Sequence, residues 1–325
     1  MGGAAPVRWL VIGVGDITTR RVIPAIQAEP RSVLHGIVTR SPGKGERYGV
    51  RIWTDLGEAL KDSAIDAVYV ASPVFLHAPQ TIAALAAGRH VLCEKPVALN
   101  YRDACAMVAA SREFARTLGI AYYRRMYPKL QRAKELLAQG VIGTPVLAEI
   151  NCHDWFHDED GRRGWLLDPA KSGGGPLYDI GSHRIDALNF LFGQPVRVAA
   201  QLSAPAHKGV VEDSATLLIE YAVGVRGIVD VRWNSRVSRD EFRIVGTDGA
   251  MTLTPLSGPA LTYPGCEENL PSHENLHYPC VENFVSAILD GRRLYASGES
   301  SIWTDWVTEQ AVRAASLPQS AVTMS

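Results

Sequence analysis

The chain of 325 residues has the length of about two domains, and its 46% hydrophobic and 21% charged residues are typical of a globular protein. These proportions exclude a disordered, collagen-like or coiled-coil chain. The 33 basic and 34 acidic residues give a net charge of −1, so the charge balance does not indicate nucleic acid or a membrane surface as partner. Five scattered cysteines without a C-x-x-C pair favour reduced thiols in a cytoplasmic protein.

The first residues of the chain predict no targeting signal, because positions 1–6 lack a cationic segment ahead of an apolar run. Positions 67–88 carry no formal charge and have the length of a membrane span. Pro73, His77 and Pro79 interrupt that stretch, so we predict a strand, a loop and a helix instead.

The first third of the chain alternates β-branched runs with helical patterns, as parallel sheets with crossover helices do. This alternation predicts a doubly wound α/β Rossmann unit. The predicted strands are 7–12, 33–38, 66–71, 90–93 and 119–123, and the predicted helices are 17–27, 56–60, 77–87 and one that Asn100 caps and that runs towards Leu118.

Beyond Arg124, strands follow strands with few helices between them, which predicts an α+β domain with a mostly antiparallel sheet. We therefore predict a dinucleotide-binding domain at 1–123 and a substrate-binding and oligomerisation domain at 124–325, whose last helices can pack back on the first domain. The predicted strands are 146–152, 196–202, 215–221, 227–233, 241–246 and 250–254, and the predicted helices are 129–139, 176–192, 281–289 and 302–315.

The segment Gly-Val-Gly-Asp-Ile-Thr at 13–18 follows the first predicted strand and opens the first predicted helix, which is the setting of a dinucleotide fingerprint. A tight turn at Gly13 and a missing side chain at Gly15 would let a pyrophosphate reach the helix N-terminus. Thr18 stands where the fingerprint has its third glycine. A plain tight turn is the alternative for this segment taken alone.

The residues after the second predicted strand bear on which dinucleotide binds. Thr39-Arg40-Ser41, with Lys44 close behind, places cations where an acidic residue would accept hydrogen bonds from a free ribose 2′-hydroxyl. An arginine at this point recognises a 2′-phosphate instead, so the sequence favours NADP over NAD. The alternative is a solvated surface loop.

Glu94-Lys95-Pro96 follows the strand predicted at 90–93, at the edge of an α/β sheet where ligands bind. The proline restricts the backbone of Lys95, which helps to aim an ammonium group. We predict a functional cation at Lys95, with a surface position at the strand end as the alternative.

A run of three glycines, 173–175, precedes the helix predicted from Pro176. Glycines there would let a ligand or another backbone come close, and proline suits a first helical turn. Asp179, His183 and Asp186 have the i, i+4, i+7 spacing of one helix face, so an imidazole would lie between two carboxylates. A solvated polar stripe is the alternative.

A patch rich in histidine and acidic residues runs from His153 to Asp160. His153 and His157 have the i, i+4 spacing of paired zinc ligands, but no helix is predicted there and the spacing offers no third ligand. We expect a structural or substrate-contacting loop and no metal site.

Together these motifs resemble the Gfo/Idh/MocA family, which is named for glucose-fructose oxidoreductase and inositol dehydrogenase. The resemblance covers nearly the whole chain. Its most specific parts are the G-x-G at 13–15, the A-G-R-H-V-L-C-E-K-P stretch at 87–96 and the G-G-G-x-x-x-D-x-G-x-H-x-x-D block at 173–186.

The resemblance implies an N-terminal Rossmann domain, a C-terminal domain with a large, mostly antiparallel open sheet, and an active site in the cleft between them. It implies hydride transfer between NADP or NAD and a hydroxyl carbon of a sugar, inositol or related polyol. A homodimer or homotetramer formed through the C-terminal sheet is expected, with no nucleic-acid or membrane partner. Lys95 matches the lysine of E-K-P, and Asp179 and His183 match the Asp/His pair, so these three are the expected catalytic residues.

The expected cofactor-binding residues follow the Rossmann strands: Gly13, Gly15, Asp16, Ile17, Thr39, Arg40, Ser41, Lys44, Ser72, Pro73, His77, Glu94 and Lys95. The expected substrate contacts are Tyr123, Arg125, Trp155, Trp165, Asp179 and His183. The family often carries Thr-Pro-Asn near the nicotinamide, where this chain has Ser72-Pro73-Val74 and so lacks the amide.

Removing hydride from a secondary alcohol requires a base for the hydroxyl proton. Histidine titrates near neutral pH and suits His183 to that task, while Lys95 would stabilise negative charge on the substrate oxygen and Asp179 would orient substrate or imidazole. Two other functions fit the same motifs. One is a glycoside hydrolase with tightly bound, internally recycled NAD, and the other is a non-catalytic NAD(P)-binding regulator.

Overall fold

A computed structural model describes residues 5–159, 161, 163–207 and 211–316. The chain divides into two compact units, one formed by Met1–Gln131 with Pro271–Asp305 and the other by Arg132–Leu270 with Trp306–Ser325. The domain boundary near Tyr123 stays a prediction. Asp160, the last residue of the histidine-rich patch, lies outside the described residues.

The first unit is built on a six-stranded parallel sheet with the order β3-β2-β1-β4-β5-β6. This is the strand order of a dinucleotide-binding Rossmann fold. The strands are β1 (Val7–Ile12), β2 (Ser32–Val38), β3 (Arg51–Trp53), β4 (Ala67–Val70), β5 (His90–Cys93) and β6 (Leu118–Ile120), and the helices are α1 (Ile23–Ala28), α2 (Leu56–Leu60), α3 (His77–Ala86) and α4 (Tyr101–Glu113).

Local sequence explains where these elements begin and end. The β4 strand, Ala-Val-Tyr-Val, is buried at every position, as expected for a central parallel strand that helices cover on both faces. The Asn100 side chain accepts the backbone N–H of Asp103 at 2.9 Å and caps α4, as predicted. The prediction that 67–88 forms a strand, a loop and a helix is confirmed by β4 and α3. Across the described residues, no helix has the length and hydropathy of a membrane span.

The second unit contains an eight-stranded sheet with the order β14-β13-β12-β11-β7-β10-β9-β8, in which only the β7–β10 pair is parallel among the described strands. The fold class predicted from the sequence is therefore confirmed. The remaining helices are α5 (Pro128–Ala138), α6 (Pro169–Ser172), α7 (Ser182–Phe192), α8 (Tyr278–Asp290) and α9 (Gly298–Ser316), and the strands are β7 (Pro145–Trp155), β8 (Pro195–Ser203), β9 (Ser214–Tyr221), β10 (Arg226–Arg232), β11 (Asn234–Gly246), β12 (Ala250–Thr252), β13 (Ala260–Tyr263) and β14 (Cys266–Asn269).

Two features of this architecture were not predicted. The strands β3, β13 and β14 are short elements that the sequence pattern did not indicate. Two helices also begin with a π-helical turn, at Thr18–Val22 ahead of α1 and at Leu177–Gly181 ahead of α7. Such turns are rare and occur often at functional sites.

Helix α8 contributes to the core of the first unit. Phe284 of α8 is fully buried, and its ring centroid lies 5.5 Å from that of Trp9 in β1. The Phe284 ring also packs on Gly119, where an added Cβ would lie only 2.8 Å from the ring. Helix α8 is therefore an integral part of the first unit.

We predict that Phe284→Ala lowers the free energy of unfolding by about 3–5 kcal/mol, because it removes a large buried side chain that its neighbours cannot replace. Phe75→Ala is the matched control. Phe75 is 42% exposed, so its loss should change stability by no more than about 0.5 kcal/mol. Urea unfolding followed by tryptophan fluorescence measures both, and equal effects of the two substitutions would contradict the assignment of α8 to the core.

Candidate cofactor and active site

The loop after β1 has the backbone that a dinucleotide fingerprint requires. Gly13 adopts φ = +93°, and a Cβ there would lie 2.8 Å from the carbonyl oxygen of Ala71 in the loop after β4. Gly15 is exposed, and a Cβ built on it would meet nothing within 4 Å. The first glycine therefore permits a close backbone contact, whereas the second leaves open space in front of the loop, which fits a pyrophosphate at this point.

Thr18 occupies the position of the third fingerprint glycine and is fully buried. Its Oγ1 accepts the Gly15 N–H at 2.8 Å and lies 2.9 Å from the Gly15 carbonyl oxygen. The threonine thus closes the loop with its own side chain, so the departure from the fingerprint preserves the turn. Asp16 and Arg20 lie on the exposed side, with 3.5 Å between carboxylate and guanidinium.

The loop after β2 presents cations to solvent. The Thr39 N–H donates to the carbonyl of Trp53 at 2.9 Å, and the Thr39 Oγ1 accepts the Ser41 N–H at 3.2 Å. Arg40 and Lys44 are exposed. The backbone of this loop is therefore fixed at Thr39, while the cationic side chains after it remain accessible to a ligand.

Sequence reasoning missed one further cation near the first helix. The guanidinium of Arg47 donates to the Thr19 hydroxyl at 3.0 Å and to the Tyr48 hydroxyl at 2.8 Å. This contact ties the segment after β2 to the turn that follows the glycine loop. No motif marked Arg47, because its partner lies in a different element.

The loops after β4 and β5 are joined by His77. Its Nδ1 lies 2.9 Å from the Pro96 carbonyl oxygen and its Nε2 lies 2.9 Å from that of Ser72. The ring is buried, and burial lowers the pKa of His77 despite these carbonyls. The Ser72 hydroxyl donates to Gln80 at 2.7 Å, and Val74, which stands in place of the family asparagine, is buried. His77 thus holds together two loops that are expected near the cofactor.

Glu94 and Lys95 directly follow β5, as predicted. The Glu94 carboxylate is 8% exposed and accepts the Tyr69 hydroxyl at 2.8 Å, while the Nε2 of His277 lies 3.1 Å from the same oxygen. Lys95 is half-buried. No sequence pattern connects His277 with this motif, because 183 positions separate it from Glu94.

In the second unit, the three glycines accommodate other parts of the protein. A Cβ on Gly174 would lie 2.4 Å from the Tyr178 ring, and one on Gly175 would lie 1.9 Å from the backbone oxygen of Glu212. The carboxylate of Glu212 also accepts the Leu177 N–H at 3.1 Å. Burial raises the pKa of Glu212, although backbone N–H groups oppose that shift. The glycines therefore admit another backbone, one of the two alternatives that the sequence left open.

The helix of the predicted catalytic pair is buried along nearly its whole length, which excludes a solvated polar stripe. His183 is 5% and Asp186 is 1% exposed, and both lie in α7. Asp179 lies in the preceding π-helical turn, with 24% of its side chain exposed, and the Arg163 guanidinium lies 3.6 Å from its carboxylate. Because that turn is wider than an α-helical one, the i, i+4 spacing used for the prediction does not carry over directly from Asp179 to His183.

The other expected substrate residues occupy different environments. Trp165 is 42% exposed, whereas Arg125 is 2% exposed and donates to the Tyr295 carbonyl at 2.9 Å and the Ser300 hydroxyl at 2.7 Å. The guanidinium carbon of Arg236 lies 4.2 Å from the ring centroid of Trp155. The ring centroids of Tyr123 and His277 are 4.9 Å apart. The substrate roles of all these residues stay predictions.

The histidine-rich patch contains a sheet contact. His153 Nε2 lies 2.7 Å from Asp230, which also accepts hydrogen bonds from Arg232 and Thr216. Burial would raise the pKa of Asp230, but these hydrogen bonds lower it. Among the described residues, no group of three or more His, Cys, Asp or Glu side chains is arranged to hold a metal ion.

Two family models match the chain. Residues 7–122 match the family described as "Oxidoreductase family, NAD-binding Rossmann fold", and residues 130–252 match the GFO/IDH/MocA C-terminal domain. The 1,5-anhydro-D-fructose reductase of Ensifer adhaerens is 31% identical to this chain, with 97% of this chain and 98% of the relative aligned. The chain belongs to the Gfo/Idh/MocA family. It is an NAD(P)-dependent oxidoreductase, and the resemblance inferred from the motifs is confirmed.

Two further relatives place this Gfo/Idh/MocA protein among enzymes named for sugars. The D-xylose 1-dehydrogenase [NADP(+)] of Haloarcula marismortui is 27% identical, with 98% of this chain and 93% of the relative aligned. The crystal structure of aldose-aldose oxidoreductase from Caulobacter crescentus, complexed with glycerol, is 27% identical and superposes with a TM-score of 0.86, covering 95% of this chain and 97% of that one.

We predict that Gly15→Ala weakens NADPH binding about tenfold or more without changing the melting temperature. The added methyl group meets no protein atom within 4 Å, but it occupies the open space in front of the loop. Gly13→Ala should instead destabilise the fold by about 1–3 kcal/mol, because of its positive φ and the close Ala71 carbonyl. Fluorescence titration with NADPH and thermal unfolding measure the two effects. Normal NADPH affinity in a folded Gly15→Ala variant would contradict the assigned site.

Proposed function

We propose that this protein transfers hydride between NADP and a hydroxyl or carbonyl carbon of a sugar or related polyol. His183 is the general acid and base, Lys95 stabilises negative charge on the substrate oxygen, and Asp179 orients the substrate or the imidazole. The observation that carries the proposal is the full-length similarity to a relative named as a 1,5-anhydro-D-fructose reductase.

Proton transfer is assigned to His183 because oxidation of an alcohol releases a hydroxyl proton as the carbonyl forms. An imidazole can accept that proton at neutral pH and return it in the reverse reaction. The bound nicotinamide supplies the hydride acceptor or donor. Burial of His183 in α7 supports this role, because a fixed ring and exclusion of water favour directed proton transfer.

Charge stabilisation is assigned to Lys95. An ammonium group near the substrate oxygen lowers the energy of the alkoxide character that develops during hydride transfer. Asp179 is partly exposed and paired with Arg163 at 3.6 Å, so its carboxylate is held without being sealed from ligands. A carboxylate in this condition can accept hydrogen bonds from sugar hydroxyls.

The choice of NADP over NAD is assigned to the loop after β2. Arg40 and Lys44 are exposed there, and no acidic residue occurs between Thr39 and Gly45. The loop thus offers positive charge for a 2′-phosphate and no carboxylate for a 2′-hydroxyl.

We also propose a homodimer or homotetramer formed through the sheet of the second unit, in the cytoplasm. Along β9, Thr216 and Leu218 are exposed while the residues between and beside them are buried, so one sheet face is accessible. An exposed apolar residue such as Leu218 on a sheet face favours association with a second copy. The absence of disulfides among the five cysteines, all of which are described, fits a reducing compartment.

We predict that Lys95→Ala and His183→Ala each lower kcat by ~10²-fold or more, because both groups act on the reacting oxygen, and that His183→Ala leaves NADPH affinity unchanged. Lys61→Ala is the surface control and should keep normal rates, since its side chain is largely exposed. Initial rates with 1,5-anhydro-D-fructose, D-xylose and inositols, together with NADPH fluorescence titration, give both quantities.

Near-normal activity in both active-site variants would remove these residues from the mechanism. Cleavage of a glycoside added to this panel, without net change in absorbance of the reduced nicotinamide, would favour the hydrolase alternative. A wild-type protein that binds NADPH but turns over no member of the panel would favour the regulatory one.

We predict that Arg40→Ala raises the KM for NADPH about tenfold or more and leaves the KM for NADH unchanged, because it removes a charge that only the 2′-phosphate contacts. Arg112→Ala is the control, since Arg112 is exposed and pairs with Glu299 at 2.8 Å. Initial-rate kinetics with both cofactors decide the matter. A wild-type preference for NADH would show that Arg40 does not select the cofactor.

A further inference from the structure

Behind Lys95 lies a buried group of three polar side chains, Tyr69, Glu94 and His277. They are 0%, 8% and 1% exposed, in that order. The Glu94 Oε1 accepts the Tyr69 hydroxyl at 2.8 Å and lies 3.1 Å from Nε2 of His277. The other carboxylate oxygen of Glu94 accepts the backbone N–H of Lys95 at 3.3 Å. Both oxygens are therefore engaged, and one of them faces the residue assigned to catalysis.

The contact between His277 and Glu94 has one possible direction of donation. An ionised carboxylate can only accept, so Nε2 of His277 carries the proton that it shares with Glu94. Among the described residues, none hydrogen-bonds to Nδ1 of His277, although that atom is buried. Nε2 is therefore the ring atom through which His277 hydrogen-bonds within this group.

The surroundings of Glu94 keep the carboxylate ionised. Burial alone would raise the pKa of Glu94, but the hydrogen bond and the electrostatic attraction of His277, the hydrogen bond from Tyr69 and the charge of Lys95 lower it. Burial raises the pKa of the Cys93 and Cys280 thiols and of the Tyr69 hydroxyl, so these neighbours stay neutral. The titratable groups that act on Glu94, or on which Glu94 acts, are Tyr69, His77, Cys93, Lys95, His277 and Cys280.

The three side chains come from separate parts of the chain. Tyr69 belongs to the central strand β4, Glu94 follows β5, and His277 directly precedes α8. A carboxylate held from two sides has one orientation, and its second oxygen then fixes the backbone of Lys95. The segment before α8 thus reaches the motif that ends β5.

We propose that His277 is a positioning residue which, with Tyr69, holds the Glu94 carboxylate ionised and in place, so that Lys95 is aimed at the substrate oxygen. The inference rests on the proposed function, because it assigns the group that positions the Lys95 of that mechanism. His277 does not touch substrate in this scheme.

The test compares His277→Leu, which removes the donor, with His277→Gln, whose side-chain amide can donate from the position of Nε2. His277→Leu should lower kcat about tenfold or more with the sugar KM changed less than about twofold, and His277→Gln should restore most of kcat. Tyr69→Phe removes one hydroxyl with little change in shape and should lower kcat in the same direction. Glu274→Gln, at an exposed position in the same segment, is the control.

The pH profile separates positioning from a structural role. Without the His277 hydrogen bond, the pKa of Glu94 rises, so the acid limb of kcat should move to higher pH in His277→Leu and return in His277→Gln. A melting temperature measured for each variant identifies misfolding, in which case Tyr69→Phe carries the test. A wild-type kcat and acid limb in folded His277→Leu or Tyr69→Phe would overturn the inference.

Lys95→Ala, measured in the same assay, distinguishes failure of the proposed function from failure of the positioning role of His277. Normal turnover in Lys95→Ala would overturn the proposed function itself. Loss of turnover in Lys95→Ala, combined with normal turnover in His277→Leu, would overturn the positioning role alone.

Discussion

The contact between Gly175 and the backbone of Glu212 is the constraint on which the predicted catalytic helix depends. A Cβ at this glycine would lie 1.9 Å from the Glu212 oxygen, a distance that no side chain can adopt. The Glu212 carboxylate then accepts the Leu177 N–H, which would otherwise lack a partner at the start of a helix. Asp179 and His183 follow within the next two turns, so their placement derives from this close approach of two backbones.

Gly13 permits a similar close approach of two backbone segments in the first unit. There a positive φ and a close approach to the Ala71 carbonyl set the course of the chain into the first helix. In both units the glycine segment leads into a π-helical turn, at Thr18–Val22 and at Leu177–Gly181. A wider turn leaves backbone groups in positions that a regular α-helix does not offer, which suits a segment that must meet a ligand. Both glycine motifs therefore direct the chain into a π-helical turn, although their sequences differ.

The sequence predicts the fold and the main motifs because both rest on local patterns. Apolar runs at 7–12 and 90–93 match β1 and β5 at both ends, and the Asn100 cap is correct because side-chain capping involves neighbours. What it misses depends on distant partners. Strand β3 has three residues and pairs beside Gly36, where any Cβ would strike the Trp53 ring, so neither partner reveals the pair alone. The π-helical turns shift the helical register within segments of five residues, which are too short for periodicity to reveal.

The residues of the candidate site also divide into those marked by local patterns and those marked only by distant contacts. Gly13, Arg40, Lys95 and His183 lie in motifs whose neighbours explain them. Arg163, Arg47 and His277 acquire meaning only from the side chains they meet across the fold. No local spacing encodes those contacts, so single-sequence reasoning had no signal to use.

The residues assigned to cofactor choice and the residue assigned to catalysis lie in different surroundings. Arg40 and Lys44 are exposed on a loop, so a change there alters local charge without disturbing the packed core. Lys95 instead follows a buried strand and is backed by a carboxylate that is itself buried and doubly hydrogen-bonded. Removing one partner of such a group leaves a charge uncompensated in a medium that solvates it poorly. In the proposed function, the cofactor's ribose is therefore recognised by adaptable side chains, whereas the cation assigned to the reacting oxygen is held by contacts that tolerate little change.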